Sequence, residues 1–401
     1  MSPTGSDDPR KAQAPIKGRG AASRPAGRFE KREYIGEDDG WGSVYDTRST
    51  GDPLGDGGSG EDGGSGEDGG SVGDRGSGEV GASAPLRLAT TVTEERARSI
   101  ISHNDSPDVG FDQSINPYRG CEHGCVYCFA RPSHAYLDLS PGLDFETKLF
   151  AKTNAVERLQ VELARPGHAP TPIALGINTD GWQPIERDYR ITRGLLEVLH
   201  ATRHPVHIVT KSGLVTRDLD LLADMARDHL VHVFLSVTTL DNRLSAKLEP
   251  RAAAPHTRLK TIRALSDAGI PTGVLVAPVI PMITDHMLED ILEAAREHGA
   301  AAAGYVLLRL PNELTVVWRE WLELHFPERA AHVMSLMQQM HGGKDYDSRF
   351  GERMRGKGVF AQLLKARFAK AHRRLGYGML PAINESAFIR PRAPSPQGSL
   401  F

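Results

Sequence analysis

Cys121, Cys125 and Cys128 are the only thiols in 401 residues, and they fall in one short stretch, Cys121-Glu-His-Gly-Cys125-Val-Tyr-Cys128. An odd number of cysteines bunched together makes a poor disulfide framework. Three thiolates spaced C-x3-C-x2-C can hold three irons of a [4Fe–4S] cubane and leave the fourth iron open, whereas an electron-transfer cluster usually takes four cysteines. Other chemistries fit the same residue types. Steps of four and three would align the thiols on one helix face as small core hydrophobes, but Gly120 and Gly124 each cost a helix about 1 kcal/mol. His123 could complete a Cys3His zinc site, although structural zinc ligands more often come as pairs from two separated places. Cys125 and Cys128 could form a C-x-x-C redox pair, which leaves Cys121 without a role.

Elements that could position such a loop surround it. Short apolar runs at 112–117, 172–177, 206–210, 231–237, 272–279 and 303–309 read as strands, most of them rich in Val, Ile and Leu as strands buried on both faces are. Helical patterns alternate with them: Leu195, Leu196 and Leu199 within 193–200, Leu259, Ile262 and Leu265 within 256–268, and Leu288, Ile291 and Leu292 within 286–298. Gly269 sits where a C-cap glycine belongs. Six β–α units predict a parallel sheet with right-handed crossovers. The fold class is therefore α/β, a partial (β/α)6 TIM-like barrel, with an open doubly wound sheet as its structural rival. The cysteine loop follows the first of these strands, at the strand end where barrel active sites lie.

Composition divides the chain further. Residues 1–34 carry eight Lys/Arg against four Asp/Glu, residues 35–80 two against twelve, and Gly57–Asp62 (GGSGED) repeats at once as Gly63–Asp68. Such a segment cannot bury enough apolar surface to offset ordering entropy, so 1–85 is expected to be a disordered extension. The core is expected over 86–326, a helical C-terminal appendage over 327–380 and a Pro/Ser-rich tail over 381–401. The basic stretch Lys17–Arg24 could touch nucleic acid, and Arg251, Arg258, Arg309 and the Arg349/Arg353/Arg355 group could make a basic stripe for a phosphate-bearing substrate. The formal net charge of −3 names no partner. No apolar run approaches the ~20 residues of a membrane span and the first residues lack an apolar h-region, so a cytoplasmic protein without membrane contact is expected.

At the cysteine loop the sequence resembles the radical S-adenosylmethionine (SAM) superfamily, whose signature is C-x3-C-x-aromatic-C; Tyr127 fills the aromatic position. More narrowly it resembles the bacterial branch related to spore photoproduct lyase, and the stretches Gly18–Phe29 and Phe350–Gly356 look like that branch's flanking segments. The resemblance implies an enzyme whose [4Fe–4S] cluster, held by Cys121, Cys125 and Cys128, cleaves SAM to a 5′-deoxyadenosyl radical that takes hydrogen from a substrate, with nucleic acid among the substrate classes. It also implies a reducing donor such as ferredoxin or flavodoxin. Carried over position by position, Asp180, Gln183 and Glu186 in Thr179–Glu186 fall where relatives contact the methionyl amine of SAM. Lys211 matches a lysine that meets its carboxylate, Ser236 fits a site near the ribose, and Ala277-Pro278 fits the segment passing the adenine. The sequence departs from the lyase in having no fourth cysteine to act as hydrogen donor; Ile177 and Asn178 occupy that neighbourhood. Readings from other classes are a non-catalytic iron–sulfur or zinc module with a redox or regulatory role, and a nucleic-acid-binding protein with a structural cluster.

Overall fold

The computed structural model describes residues 15–29, 32–35, 46–49 and 88–392. Much of the expected disordered extension and the last residues of the tail lie outside the described residues.

The first elements are an antiparallel pair, β1 (Arg32–Ile35) and β2 (Asp46–Ser49). Then come β3 (Thr91–Glu95), β4 (Ile101–His103), β5 (Gln113–Ile115), β6 (Tyr118–Arg119), α1 (Asp144–Thr147), β7 (Lys148–Lys152) and α2 (Ala155–Leu163). From there strands and helices alternate: β8 (Ile173–Leu175), α3 (Glu186–Tyr189), α4 (Ile191–Ala201), β9 (Val206–Thr210), α5 (Leu219–Arg227), β10 (Val231–Ser236), α6 (Asn242–Leu248), α7 (Pro255–Asp267), β11 (Thr272–Val279), α8 (Leu288–Glu297) and β12 (Ala302–Leu307). Three helices close the chain, α9 (Leu314–His325), α10 (Pro327–Met340) and α11 (Gly358–Arg374).

All six expected strands are present, as β5, β8, β9, β10, β11 and β12, and each pairs in parallel with the next. Their spatial order follows their sequence order without a reversal. A doubly wound sheet must reverse direction at a switch point, so the arrangement is the open partial barrel. β4 adds an antiparallel edge beside β5. The leucines expected on α4 and α8 are fully buried beneath those helices, as are Ile262 and Leu265 of α7. Gly269 takes φ +75° at the end of α7, the left-handed cap its position predicted.

Four features depart from expectation. A second sheet, β3-β7-β6, stands beside the barrel and feeds β6 directly into the cysteine loop. Residues 15–29 are not a solvated tail: Arg19, Ala21 and Ser23 are buried, because backbone N–H groups there find a buried carboxylate. Residues 381–392 are pinned to the N-terminal ends of the barrel strands, with Asn384 N donating to His229 O (2.8 Å) and Ile389 N to Thr202 O (2.8 Å). The helical appendage also starts earlier than 327, at Leu314. Among the described residues no helix is long and apolar enough to cross a membrane.

Candidate functional site

The cysteine loop is a true loop, and two glycines make it one. Gly120 has φ +73° and Gly124 φ +66°; a Cβ on Gly120 would lie 2.6 Å from Leu149 Cδ2, and one on Gly124 2.8 Å from Glu146 Oε2. The alignment of the three thiols on a helix face is thereby excluded. Backbone hydrogen bonds fix the path: Cys121 N donates to Phe145 O (2.9 Å), Val126 N to Leu248 O (3.0 Å) and Cys128 N to Cys125 O (3.2 Å). All three cysteines are free; Cys121 and Cys125 are buried and Cys128 is half-buried. Cys121 and Cys128 share a small apolar cluster with Ala130 and Phe145. Burial pushes the Cys125 thiol up to about 12, and burial together with the Asp180 carboxylate raises Cys121. A metal bound here must therefore displace protons. His123 turns its Nδ1 toward Asp180 Oδ2 (3.4 Å), away from a fourth-ligand role. Among the described residues no three His, Cys, Asp or Glu side chains converge as ligands of a single ion do. Thiolates that each take a different iron of a cubane need no such convergence, so the donor set fits a cluster better than one zinc ion.

Behind the loop lies a closed polar network. Glu146, fully buried, accepts from Gly20 N (2.9 Å), Ala21 N (2.8 Å) and the Arg131 guanidinium. Arg131 in turn donates to Cys125 O (2.9 Å), Gly142 O (2.8 Å) and Gly124 O (3.3 Å). The N-terminal strap presses so close that a Cβ on Gly20 would fall 1.8 Å from Gly124 O. Arg19 donates to the carbonyls of Glu146 (2.9 Å) and Leu88 (2.6 Å), and Arg24 pairs with Asp144 (2.9 Å). The basic stretch read as a nucleic-acid contact is thus largely consumed internally.

In front of the loop, at the C-terminal ends of β8 to β11, five of the expected residues come together. Asp180 accepts from Thr210 Oγ1 (2.8 Å) and Lys211 N (2.7 Å), tying the end of β8 to that of β9. Lys211 Nζ donates to Ser236 Oγ (3.0 Å) and lies 5.8 Å from the centre of the Tyr127 ring. Ser236 Oγ and Thr238 Oγ1 each donate to Ala277 O (3.0 Å). Tyr127 hydroxyl meets Thr238 Oγ1 (3.0 Å) and donates to Glu249, which is paired with the buried Arg258. Burial raises the Tyr127 phenol, and the Glu249 carboxylate raises it further. Burial would also raise Glu249, but Arg258 and then Lys211 hold it below the usual carboxylate range.

Gln183 and Glu186 point elsewhere. Gln183 Nε2 donates to Gly120 O (3.1 Å) and its Oε1 accepts from Glu122 N (2.9 Å), so it braces the cysteine loop. Glu186 accepts from Tyr118 hydroxyl, Thr192 N (3.0 Å), Arg193 N (3.2 Å) and Arg217 Nη2 (2.8 Å), which uses its lone pairs within the scaffold. The expected basic stripe does not form a free surface. Arg251 pairs with Glu122, Arg258 with Glu249, Arg349 with Asp347 and Arg353 with Asp108, while Arg309 and Arg355 lie over the rings of Phe129 and Tyr305.

The sequence profile of the radical SAM superfamily matches residues 115–295, from β5 through α8. Uncharacterised proteins of Mycobacterium tuberculosis and Mycobacterium bovis are 36% identical to the chain over 265 residues, spanning 66% of it and 77% of each relative. The chain belongs to the radical SAM superfamily. An uncharacterised Methanocaldococcus jannaschii protein is 27% identical over 43% of this radical SAM chain and 61% of its own length. Among solved structures, a variant of spore photoproduct lyase superposes with a TM-score of 0.50 at 15% identity, covering 71% of this chain and 80% of the lyase. A likeness at that identity is one of fold. One lyase structure of the same fold holds S-adenosylmethionine and a dinucleoside spore photoproduct.

Sequence reasoning missed the two buried ion pairs of this radical SAM site, Arg131–Glu146 and Arg258–Glu249. No spacing signals them, because Arg258 lies on α7 and Glu249 follows α6, while Arg131 opens a short helical turn and Glu146 lies within α1. A weak signal was available: Arg131 and Glu146 both flank the glycine-rich cysteine loop.

Proposed function

We propose that this radical SAM chain is an enzyme that holds a [4Fe–4S] cluster on Cys121, Cys125 and Cys128, cleaves SAM reductively, and turns the resulting 5′-deoxyadenosyl radical on a nucleic-acid-derived substrate. The observation that carries the reading is the convergence of Asp180, Lys211, Ser236 and the Ala277 carbonyl on the strand ends facing the cysteine loop, with Tyr127 belonging to both sets. A structural cluster needs no polar pocket beside it, so this convergence favours an enzyme over an iron–sulfur carrier.

Bound together, the cluster and SAM supply one-electron cleavage of the C5′–S bond, with methionine as the other product. The chain's own residues bind and orient. The Lys211 ammonium is free to exchange its neutral serine partner for the SAM carboxylate, a charge-assisted bond roughly twice as strong. Ser236, released by that exchange, faces the ribose, and the Ala277-Pro278 segment passes the adenine. Asp180 holds the backbone of Lys211 in place, and the Tyr127 ring lies 5.8 Å from the Lys211 ammonium. Reducing equivalents come from a donor such as ferredoxin or flavodoxin. The choice of substrate class is supported by the dinucleoside held in the lyase of the same fold. With Ile177 and Asn178 in place of a donor cysteine, any hydrogen returned to the product comes from another group.

Anaerobic reconstitution followed by dithionite and SAM tests the proposal, with 5′-deoxyadenosine measured by chromatography. Product well above a Cys128→Ala control is expected. A fully loaded and reducible cluster that yields none would sink the enzyme reading in favour of an iron–sulfur binding role.

A further inference from the structure

On the flank of the cysteine loop opens a cleft of about 820 Å³, within the ~300–1,000 Å³ typical of ligand sites. None of Tyr127, Lys211, Ser236 or Ala277 lines it, so it is distinct from the pocket described above. Its rim carries four cations, Arg187, Arg217, Arg251 and Lys260, and no carboxylate belongs to its lining. Two of these cations are steadied from behind: Arg217 by Glu186 and Asp218, Arg251 by Glu122. Arg187 and Lys260 are exposed and have no acidic partner among the described residues. The floor is made of buried hydroxyls, Ser212 and Thr261, and a buried imidazole, His123. Gly213 keeps that floor wide, since a Cβ there would stand 3.1 Å from Thr257 Cγ2. α7 begins at Pro255 beside the cleft, with Thr257 in the lining, so the positive end of its dipole adds to the field. Pro184 and Leu214 supply a short apolar wall.

Fixed cations at a rim, hydroxyls below them and an apolar wall suit a ligand with both phosphates and a flat apolar part. An acidic protein would meet such cations on a convex surface, whereas these ring a concavity with a buried floor. We infer that this cleft binds the phosphates of a nucleotide or a short single strand, outside the SAM-facing pocket and against the outer side of the cysteine loop. Arg251 N donates to His123 O (3.2 Å), so a ligand held here borders the segment between Cys121 and Cys125. The inference takes its preference for a strand from the proposed substrate class and takes nothing from the cluster assignment.

The test uses the reconstituted protein and a fluorescein-labelled ten-residue thymidine oligonucleotide, followed by anisotropy across a salt series, with ATP and pyrophosphate as competitors. Binding is expected to weaken about tenfold in an Arg187→Gln/Lys260→Gln variant, and the slope of log affinity on log salt to fall by about 1.4, at ~0.7 per phosphate on a single strand. Lys365→Gln/Lys370→Gln, at exposed positions of α11, is the charge-matched control and should leave both unchanged. Displacement of the oligonucleotide by micromolar ATP or pyrophosphate identifies a nucleotide as the ligand; resistance to both identifies a strand. No binding of any of these probes at low salt, or binding indifferent to the double variant, overturns the inference. So does a double variant that loses affinity for flavodoxin while keeping its affinity for the phosphate probes. SAM cleavage without added substrate is measured on the same preparations. Cleavage retained with binding lost in the double variant upholds the cleft, and cleavage absent with binding intact faults the cluster reading alone.

Discussion

The two sides of the cysteine loop are built on opposite rules. Behind it, every charge is matched: the Glu146 carboxylate takes two strap amides and a guanidinium, and Arg131 spreads its donors over four carbonyls and the carboxylate. In front of it, the Lys211 ammonium rests on one neutral hydroxyl and an aromatic face. A satisfied buried network fixes a shape, because disturbing any member strands another in low dielectric. A cation with a weak partner is available for exchange. The contrast separates scaffold from chemistry within a few residues of one loop.

The hardest test of that contrast is to break the back. Glu146→Ala leaves Arg131 buried without its carboxylate and two strap amides without acceptors, so a loss of about 3–5 kcal/mol in urea unfolding is expected, with poor cluster loading. A loss below 1 kcal/mol would show that the strap does not grip. Acid attacks the same side more gently. His134, packed under Gly120, donates from Nε2 to Lys148 O, since that carbonyl can only accept, and burial lowers its pKa to about 4. As pH falls from about 6.5 to 4 the unfolded chain takes up the proton and the folded chain resists it. Stability should fall through that window by on the order of 3 kcal/mol. His134→Gln should flatten the slope of stability on pH there; an unchanged slope would assign it to other groups. The front should respond differently. Lys211→Met is expected to weaken SAM binding about 10–100-fold, or ~1.4–2.7 kcal/mol, with the unfolding midpoint unmoved. Unchanged SAM affinity by titration would remove Lys211 from the pocket, and a large stability loss would erase the distinction between the two sides.

The barrel was legible because most of its strands read as short runs rich in Val, Ile and Leu; all six were found. The second sheet was not, because Thr91–Glu95 (TVTEE) and Lys148–Lys152 (KLFAK) are polar alternations whose pairing partner lies over fifty residues away. In the site, motif position marks Asp180, Lys211, Ser236 and Ala277 as SAM contacts, and the four are linked by hydrogen bonds at the strand ends. It did not foretell which polar groups of Thr179–Glu186 would turn inward to brace the scaffold, since Gln183 and Glu186 look no different in sequence from groups that face a ligand. The strap at 15–29 misled for a compositional reason: Gly, Arg and Ser read as solvated until a buried carboxylate answers them.

The strap also imposes an order in time. A ribosome makes Gly20 and Ala21 well over a hundred residues before it makes Glu146, the group that receives them. The strap therefore waits for a partner that does not yet exist, and it can dock only after the cysteine loop and α1 have been made. Until then the rear of the loop stands open, and the segment that seals it is made before the loop itself.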